Sequence, residues 1–113
     1  MACIFCKIRD GEIPATIVHQ DEQVFAIEDI NPQGPIHLLV IPRRHLESTG
    51  ELTEQDEALT GHLVRLASTL AKNRGIAERG YRLVFNTNAE GGQTVSHLHL
   101  HLIGGRQMHW PPG

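Results

Sequence analysis

The order of apolar and polar positions divides the chain into strand-like and helix-like stretches. Residues 16–20 and 23–30 carry Ile17, Val18, Val24, Phe25 and Ile27 around a polar break at Asp21-Glu22, which predicts a β-hairpin. Residues 37–41 are a continuous apolar run after His37, as in a central strand, and Pro42 would break its ladder. Between 54 and 74, Leu59, Leu63, Leu66, Ala67 and Leu70 recur at helical spacing and form one apolar stripe. Thr53 is placed to cap that helix, Glu54, Asp56 and Glu57 make its first turn acidic, and Lys72 and Arg74 close it before Gly75. His62 falls off the stripe and is expected to be exposed. Residues 81–87 alternate again as a strand, followed by a loop over 88–94. The sharpest alternation lies at 97–103, where His97, His99 and His101 would share one face of a strand and Leu98, Leu100 and Leu102 the other. On a helix the three rings would fan round the cylinder, so a strand, paired antiparallel with 81–87, is the better reading.

Three imidazoles held side by side can bind one metal ion, act as a nucleophile with acid–base helpers, or be inert. Inertness is a poor account, because each ring buried without a partner costs about 1–3 kcal/mol and exposed rings give no reason for the pattern. The metal reading is physically fair, since His-x-His aims two imidazoles at one ion, but no spaced Asp or Glu beside them supplies the remaining ligand or base. A nucleophile needs a neutral ring beside phosphate-holding donors, with its second nitrogen fixed by a hydrogen bond. Gly91-Gly92, just before the histidines, lets backbone N–H groups approach an anion, and Thr94 adds a hydroxyl near a leaving group. Asp29 precedes a loop through Pro32-Gln33-Gly34-Pro35; it caps a turn or, if a nucleoside binds, accepts from ribose hydroxyls. His37 opens a buried strand and reads as a hydrogen-bonding residue rather than a catalyst.

Composition adds limits. Ten basic against thirteen acidic residues give a net charge of −3, so no nucleic-acid or anionic-membrane surface is expected. A phosphate-bearing ligand must then be held by a local site. The eight histidines are the anomaly among 113 residues. No apolar run approaches the ~20 residues of a membrane span, and the opening residues lack signal-peptide features, so a cytoplasmic protein of one domain, residues 1–113, is expected. Residues 104–113, rich in Gly and Pro, form an irregular tail carrying Trp110. Cys3 and Cys6 sit on a short helical turn that Gly11 and Pro14 end. They can be half of a zinc site, a redox dithiol, which would want a preceding strand, or a free buried pair.

His97-Leu98-His99-Leu100-His101-Leu102-Ile103 resembles the signature of the histidine-triad (HIT) superfamily. The likeness extends over Ile4-Phe5-Cys6-Lys7-Ile8, Glu12-Ile13-Pro14, Asp29-Ile30-Asn31-Pro32-Gln33, residues 37–42 and Gly91-Gly92-Gln93-Thr94. The ending, Gly104-Gly105-Arg106-Gln107-Met108-His109-Trp110-Pro111-Pro112-Gly113, resembles the Hint branch. The resemblance implies an α+β, HIT-like fold, with one long helix, a short N-terminal helix and a five-stranded antiparallel sheet that homodimerisation extends. It implies cleavage of purine nucleoside 5′-phosphoramidates through a nucleotidyl-histidine, with dinucleoside polyphosphate hydrolysis or a nucleotide-binding adaptor as alternatives.

On this chain the resemblance makes His99 the nucleophile, His101 its partner at the scissile phosphate, and Thr94 a helper at the leaving group. His97 supports the triad from behind with His37 nearby. Asp29 matches the ribose-binding acid; Ile4, Phe5, Ile8, Ile27 and Ile30 match the base pocket. Asn86, Gly92 and Gln93 match further phosphate-side contacts, and Trp110 a tail aromatic that approaches the partner's site. No cofactor is implied for the chemistry. Cys3 and Cys6 resemble those of zinc-containing bacterial relatives, which implies a closed structural site with His45 and His97. Ser96 departs from the branch, which often has an aromatic there.

Overall fold

The computed structural model describes residues 3–113. After Cys3 the chain forms a short helix, α1 (Ile4–Arg9), then a hairpin of β1 (Ile17–Gln20) and β2 (Val24–Glu28). β3 (Ile36–Pro42) follows, and two 3-10 turns lead into α2 (Glu57–Asn73). β4 (Tyr81–Phe85) and β5 (Leu100–Gly104) complete one five-stranded sheet in the order β1-β2-β3-β5-β4. Every neighbouring pair is antiparallel, as the sequence led us to expect.

The two sheet faces have different coverings because the strands alternate. Val24, Ala26, Leu38, Val40, Leu100 and Leu102 point to one face and pack with Leu63, Leu66, Ala67 and Leu70 of α2. Burying each large side chain of this kind stabilises the fold by about 1.5–3 kcal/mol, so the apolar stripe is what fixes α2 on the sheet. Phe25, Ile27, Leu39 and Ile41 point to the other face, where Phe5 and Ile8 of α1 cover them. His37 and His101 share this second face, since His101 pairs with Leu39 and His37 with Ile103 two residues further along β5.

Three expectations need correction in detail. Helix over 54–74 is a 3-10 turn, Glu54–Asp56, followed by α2; Thr53 caps that turn in a capping box with Asp56, which also holds Arg44. Pro42 does not break β3 but is its last paired residue, opposite Val24. His62 is half-buried rather than free: its Nε2 meets Asp21 Oδ2 at 2.9 Å, an oxygen that His19 Nε2 also reaches at 3.0 Å. Asp21 Oδ1 accepts from Gln23 and Val24 backbone N–H groups, so one carboxylate shapes the hairpin turn and ties it to α2.

Candidate functional site

The histidine strand begins at Leu100, not at His97. The period-2 alternation of rings survives upstream, but the backbone there is diverted from the ladder. Leu98 N–H donates to Leu46 O at 2.6 Å, and the His97 carbonyl accepts from the ring of His99 at 2.7 Å. The rings still stack in sequence: His101 lies 4.9 Å from His99, and Phe5 stands edge-on to both His99 and His97 at 5.1 and 5.8 Å. His97 and His99 are buried, and His101 is half-buried.

Backbone groups fix the tautomer of each ring. A carbonyl oxygen can only accept, so His99 Nδ1 carries a proton and donates it to His97 O. Burial pushes the His99 pKa down, so the ring is neutral and Nε2 keeps its lone pair. Nε2 has no hydrogen-bond partner among the described residues, and no fully buried side-chain nitrogen there lacks one. Solvent or a ligand therefore reaches His99 Nε2.

His101 is set the other way round. Gln33 N–H donates to His37 Nδ1 at 3.0 Å, so the His37 proton sits on Nε2. That Nε2–H lies 2.9 Å from His101 Nδ1, which must accept, leaving the His101 proton on Nε2. Burial, then the neighbouring His99 and His37, hold the His101 pKa down at about 4, against an opposing pull from Asp29. Burial also lowers the His37 pKa, partly offset by Asp29, whose Oδ2 is 3.3 Å from His37 Nε2. The sheet thus presents a neutral acceptor nitrogen on His99 beside a neutral donor on His101. An electron-rich oxygen beside an electrophilic atom suits that pair.

The third ring is committed elsewhere. His97 Nε2–H donates to the Pro42 carbonyl at 2.8 Å, turning its Nδ1 lone pair toward Cys3 Sγ (3.3 Å), Cys6 Sγ (3.6 Å) and His45 Nδ1 (3.1 Å). Cys6 Sγ is 3.5 Å from His45 Nδ1, and all four atoms lie within 4.8 Å of one another. Metal bonds of about 2.0–2.3 Å arranged tetrahedrally put neighbouring ligand atoms about 3.3–3.8 Å apart. The cluster has nearly those dimensions and a soft, two-thiolate, two-imidazole donor set, so the residues fit a four-coordinate zinc.

The other residues singled out in the sequence divide into two groups. Phe5, Ile8 and Ile27 are buried in one cluster, Phe5 against the His97 and His99 rings, and Asp29 stands 3.3 Å from His37, its Oδ1 accepting from Asn31 N–H at 2.8 Å. Ile4 is 44% exposed and Ile30 96% exposed in the single chain, so neither is packed like the first three. Asn86 Nδ2 donates to Gly91 O at 2.7 Å, while the Gln93 amide is spent on Glu47 O, Val95 O and Asn88 N–H. These two side chains therefore shape the loop that carries Gly92, whose φ is +77°, and the exposed Thr94. An added Cβ at Gly91 would meet Thr87 O at 2.3 Å, which explains that glycine. Trp110 is 84% exposed, away from these rings' packing. Sequence reasoning missed Gln33 N–H and the Pro42 carbonyl as the groups that set two of the tautomers, since backbone partners leave no residue-type signal.

Comparison with known proteins agrees with this geometry. The HIT domain family model matches residues 10–108. An uncharacterised HIT-like protein of Synechocystis is 50% identical over 110 residues, covering 97% of this chain and 96% of that protein. The crystal structure of a HIT family hydrolase from Legionella pneumophila superposes with a TM-score of 0.97 at 52% identity, covering 99% of this chain and all of the other. The histidine triad nucleotide-binding protein from Candida albicans is more distant: TM-score 0.83, 27% identity, with 97% and 83% of the two chains covered. The signature histidines, the five-stranded sheet and these matches establish that the chain belongs to the HIT family.

Proposed function

We propose that the protein is a Hint-branch nucleotide hydrolase that cleaves purine nucleoside 5′-phosphoramidates through a covalent intermediate on His99. The observation that carries the reading is the tautomer of His99: Nδ1–H held by His97 O at 2.7 Å, with Nε2 unpartnered among the described residues. Kinship to a HIT family hydrolase and to a nucleotide-binding histidine triad protein supports it.

In this reading the Nε2 lone pair attacks the α-phosphorus in line with the P–N bond. The P–N bond breaks, and its electron pair leaves with the amine, which takes a proton delivered from solvent by way of the Thr94 hydroxyl. The nucleotidyl-imidazole is cationic, and its Nδ1–H remains on the His97 carbonyl, which spreads that charge. His101 Nε2–H donates to a non-bridging phosphoryl oxygen and strengthens as charge develops there. Water then attacks phosphorus and gives up a proton to solvent, the P–Nε2 bond breaks, and its electron pair returns to His99 Nε2 as the nucleoside monophosphate is released. Asp29 takes the ribose hydroxyls, and Phe5, Ile8 and Ile27, with Ile4 and Ile30 at the rim, take the base. Gly92 and its loop, with Asn86 and Gln93 shaping it, face the phosphate.

Zinc at Cys3, Cys6, His45 and His97 would cross-link α1 to the triad and, with four protein ligands and no open position, supply structure rather than a reactive water. We also propose that a second copy extends the sheet, with Trp110 reaching the partner's site. The open edge of β4 and the exposure of Trp110 support this. The test is steady-state hydrolysis of an adenosine 5′-phosphoramidate. His99→Ala should lose about a thousandfold or more in kcat while still binding AMP. Undiminished turnover in that variant would remove His99 from the reaction. Little turnover by the native chain would favour an adaptor, and faster cleavage of a dinucleoside polyphosphate would move it to a sister branch.

A further inference from the structure

We propose that Arg106, in the tail, is a positioning residue for His101, acting through the 32–35 loop and His37. The proposal rests on the reading of His101 as the donor to a phosphoryl oxygen. Arg106 Nε–H donates to Gln33 O at 2.7 Å, and Gln33's own N–H donates to His37 Nδ1 at 3.0 Å. His37 Nε2–H then faces His101 Nδ1 at 2.9 Å. One exposed guanidinium is therefore three contacts from the ring that meets the phosphate.

The loop leans on the same stretch of tail at every step. A Cβ at Gly34 would stand 3.1 Å from Ile103 Cγ2 and 3.2 Å from Gly104 O. Gly105 has φ +92°, and a Cβ there would stand 2.9 Å from Pro35. The loop and the turn after β5 are thus in backbone contact, and Arg106 closes the contact at Gln33. This gives Gly105-Arg106 a purpose that an irregular-tail reading leaves open, whereas Gly104, still in β5, makes room for Ile76. At the loop's other end, Asp29 Oδ1 holds Asn31 N–H, and Gln33 Nε2 donates to Asn31 O at 3.1 Å.

What the clamp secures is a proton's location. With Gln33 N–H in place, His37 cannot carry hydrogen on Nδ1, so His37 is a donor at Nε2 and His101 must be bare at Nδ1. Release the loop, and His37 is free to move its proton to Nδ1. His37 Nε2 then becomes an acceptor, His101 turns its proton inward to meet it, and a lone pair replaces the donor that faces the phosphoryl oxygen. The groups around the pair are Asp29, on the loop, and His99, on the strand approach. Asp29 Oδ2, 3.3 Å from His37 Nε2, favours hydrogen on that same nitrogen, while the Gln33 N–H is the group that bars hydrogen from His37 Nδ1, which neither Asp29 nor His99 contacts.

The experiment compares native protein with Arg106→Ala by long-range proton–nitrogen spectra of the imidazoles at pH 8, together with kcat and KM on an adenosine phosphoramidate. Native protein should show one tautomer each at His37 and His101, both protonated on Nε2. Arg106→Ala should show mixed tautomers at both rings and a kcat lower by about tenfold, with KM little changed. A single Nε2–H tautomer at both rings in the variant overturns the proposal whatever the rate does, and so do mixed tautomers with native kcat. The spectra need no substrate, so a native chain without turnover would sink the phosphoramidase reading separately.

Discussion

His99 and His101 are the same residue type two positions apart, yet the fold makes one an acceptor and the other a donor. The difference comes from what each Nδ1 meets: a carbonyl for His99, an N–H-bearing ring for His101. Both rings must stay neutral, and this has a consequence for stability. The pKa of His101 is about 4 when folded, against about 6.5 for an ordinary histidine. The unfolded chain therefore takes up this proton first. Stability should be level with pH above about 6.5, fall as pH drops from there toward 4, and stop falling from this cause below that. His37 and His99, also depressed, add to the loss in the same direction. Urea unfolding from pH 8 to pH 4 checks this, and His101→Gln should flatten part of the slope. The alternation at 97–103 was enough to identify these rings. It could not assign their protons, because Pro42 O, His97 O and Gln33 N–H belong to the backbone, which every residue has.

At the level of elements, α1 has little to hold it on its own. Six residues are too few for a stable helix, and only Phe5 and Ile8 are buried in it. A zinc cross-link from Cys3 and Cys6 to His45 and His97 would anchor α1 over the rings, and Phe5 would be carried with it. Purified protein should then contain about one zinc per chain, measured by atomic emission. Cys3→Ser together with Cys6→Ser should abolish the metal and lower Tm, with α1 amides exchanging faster. Full metal content in that double variant would contradict the site. The elements themselves were legible from periodicity: the α2 stripe, the hairpin at Asp21-Glu22 and a strand from Tyr81 all formed, although that strand ends at Phe85 rather than at 87. What was not legible were the boundaries set by long-range partners. The start of β5 moved because two backbone groups near His97 are engaged elsewhere, and His62 is half-buried because Asp21, 41 residues away, accepts from it.

Across the whole molecule the sheet separates support from chemistry. One face is closed by α2 over a largely apolar core, while the other carries α1 and the His37 and His101 rings. Rigid strands hold His37 and His101, and a loop brings the Gln33 N–H to His37, so the scaffold places the rings and the loop fixes a proton. The tail closes the arrangement by returning from β5 to the 32–35 loop through Arg106. That closure joins positions 33 and 106, which no local pattern connects. The histidine pattern, by contrast, was visible at once because all its members lie within one strand-length of sequence.

The most direct measurement is rapid acid or base quench of the enzyme mixed with an adenosine phosphoramidate, followed by intact-mass and peptide-mass analysis. Covalent transfer through His99 predicts an AMP adduct within the first turnover, located on His99, stable to base and absent from His99→Ala. Turnover with no adduct at any quench time, or an adduct on another residue, would contradict it.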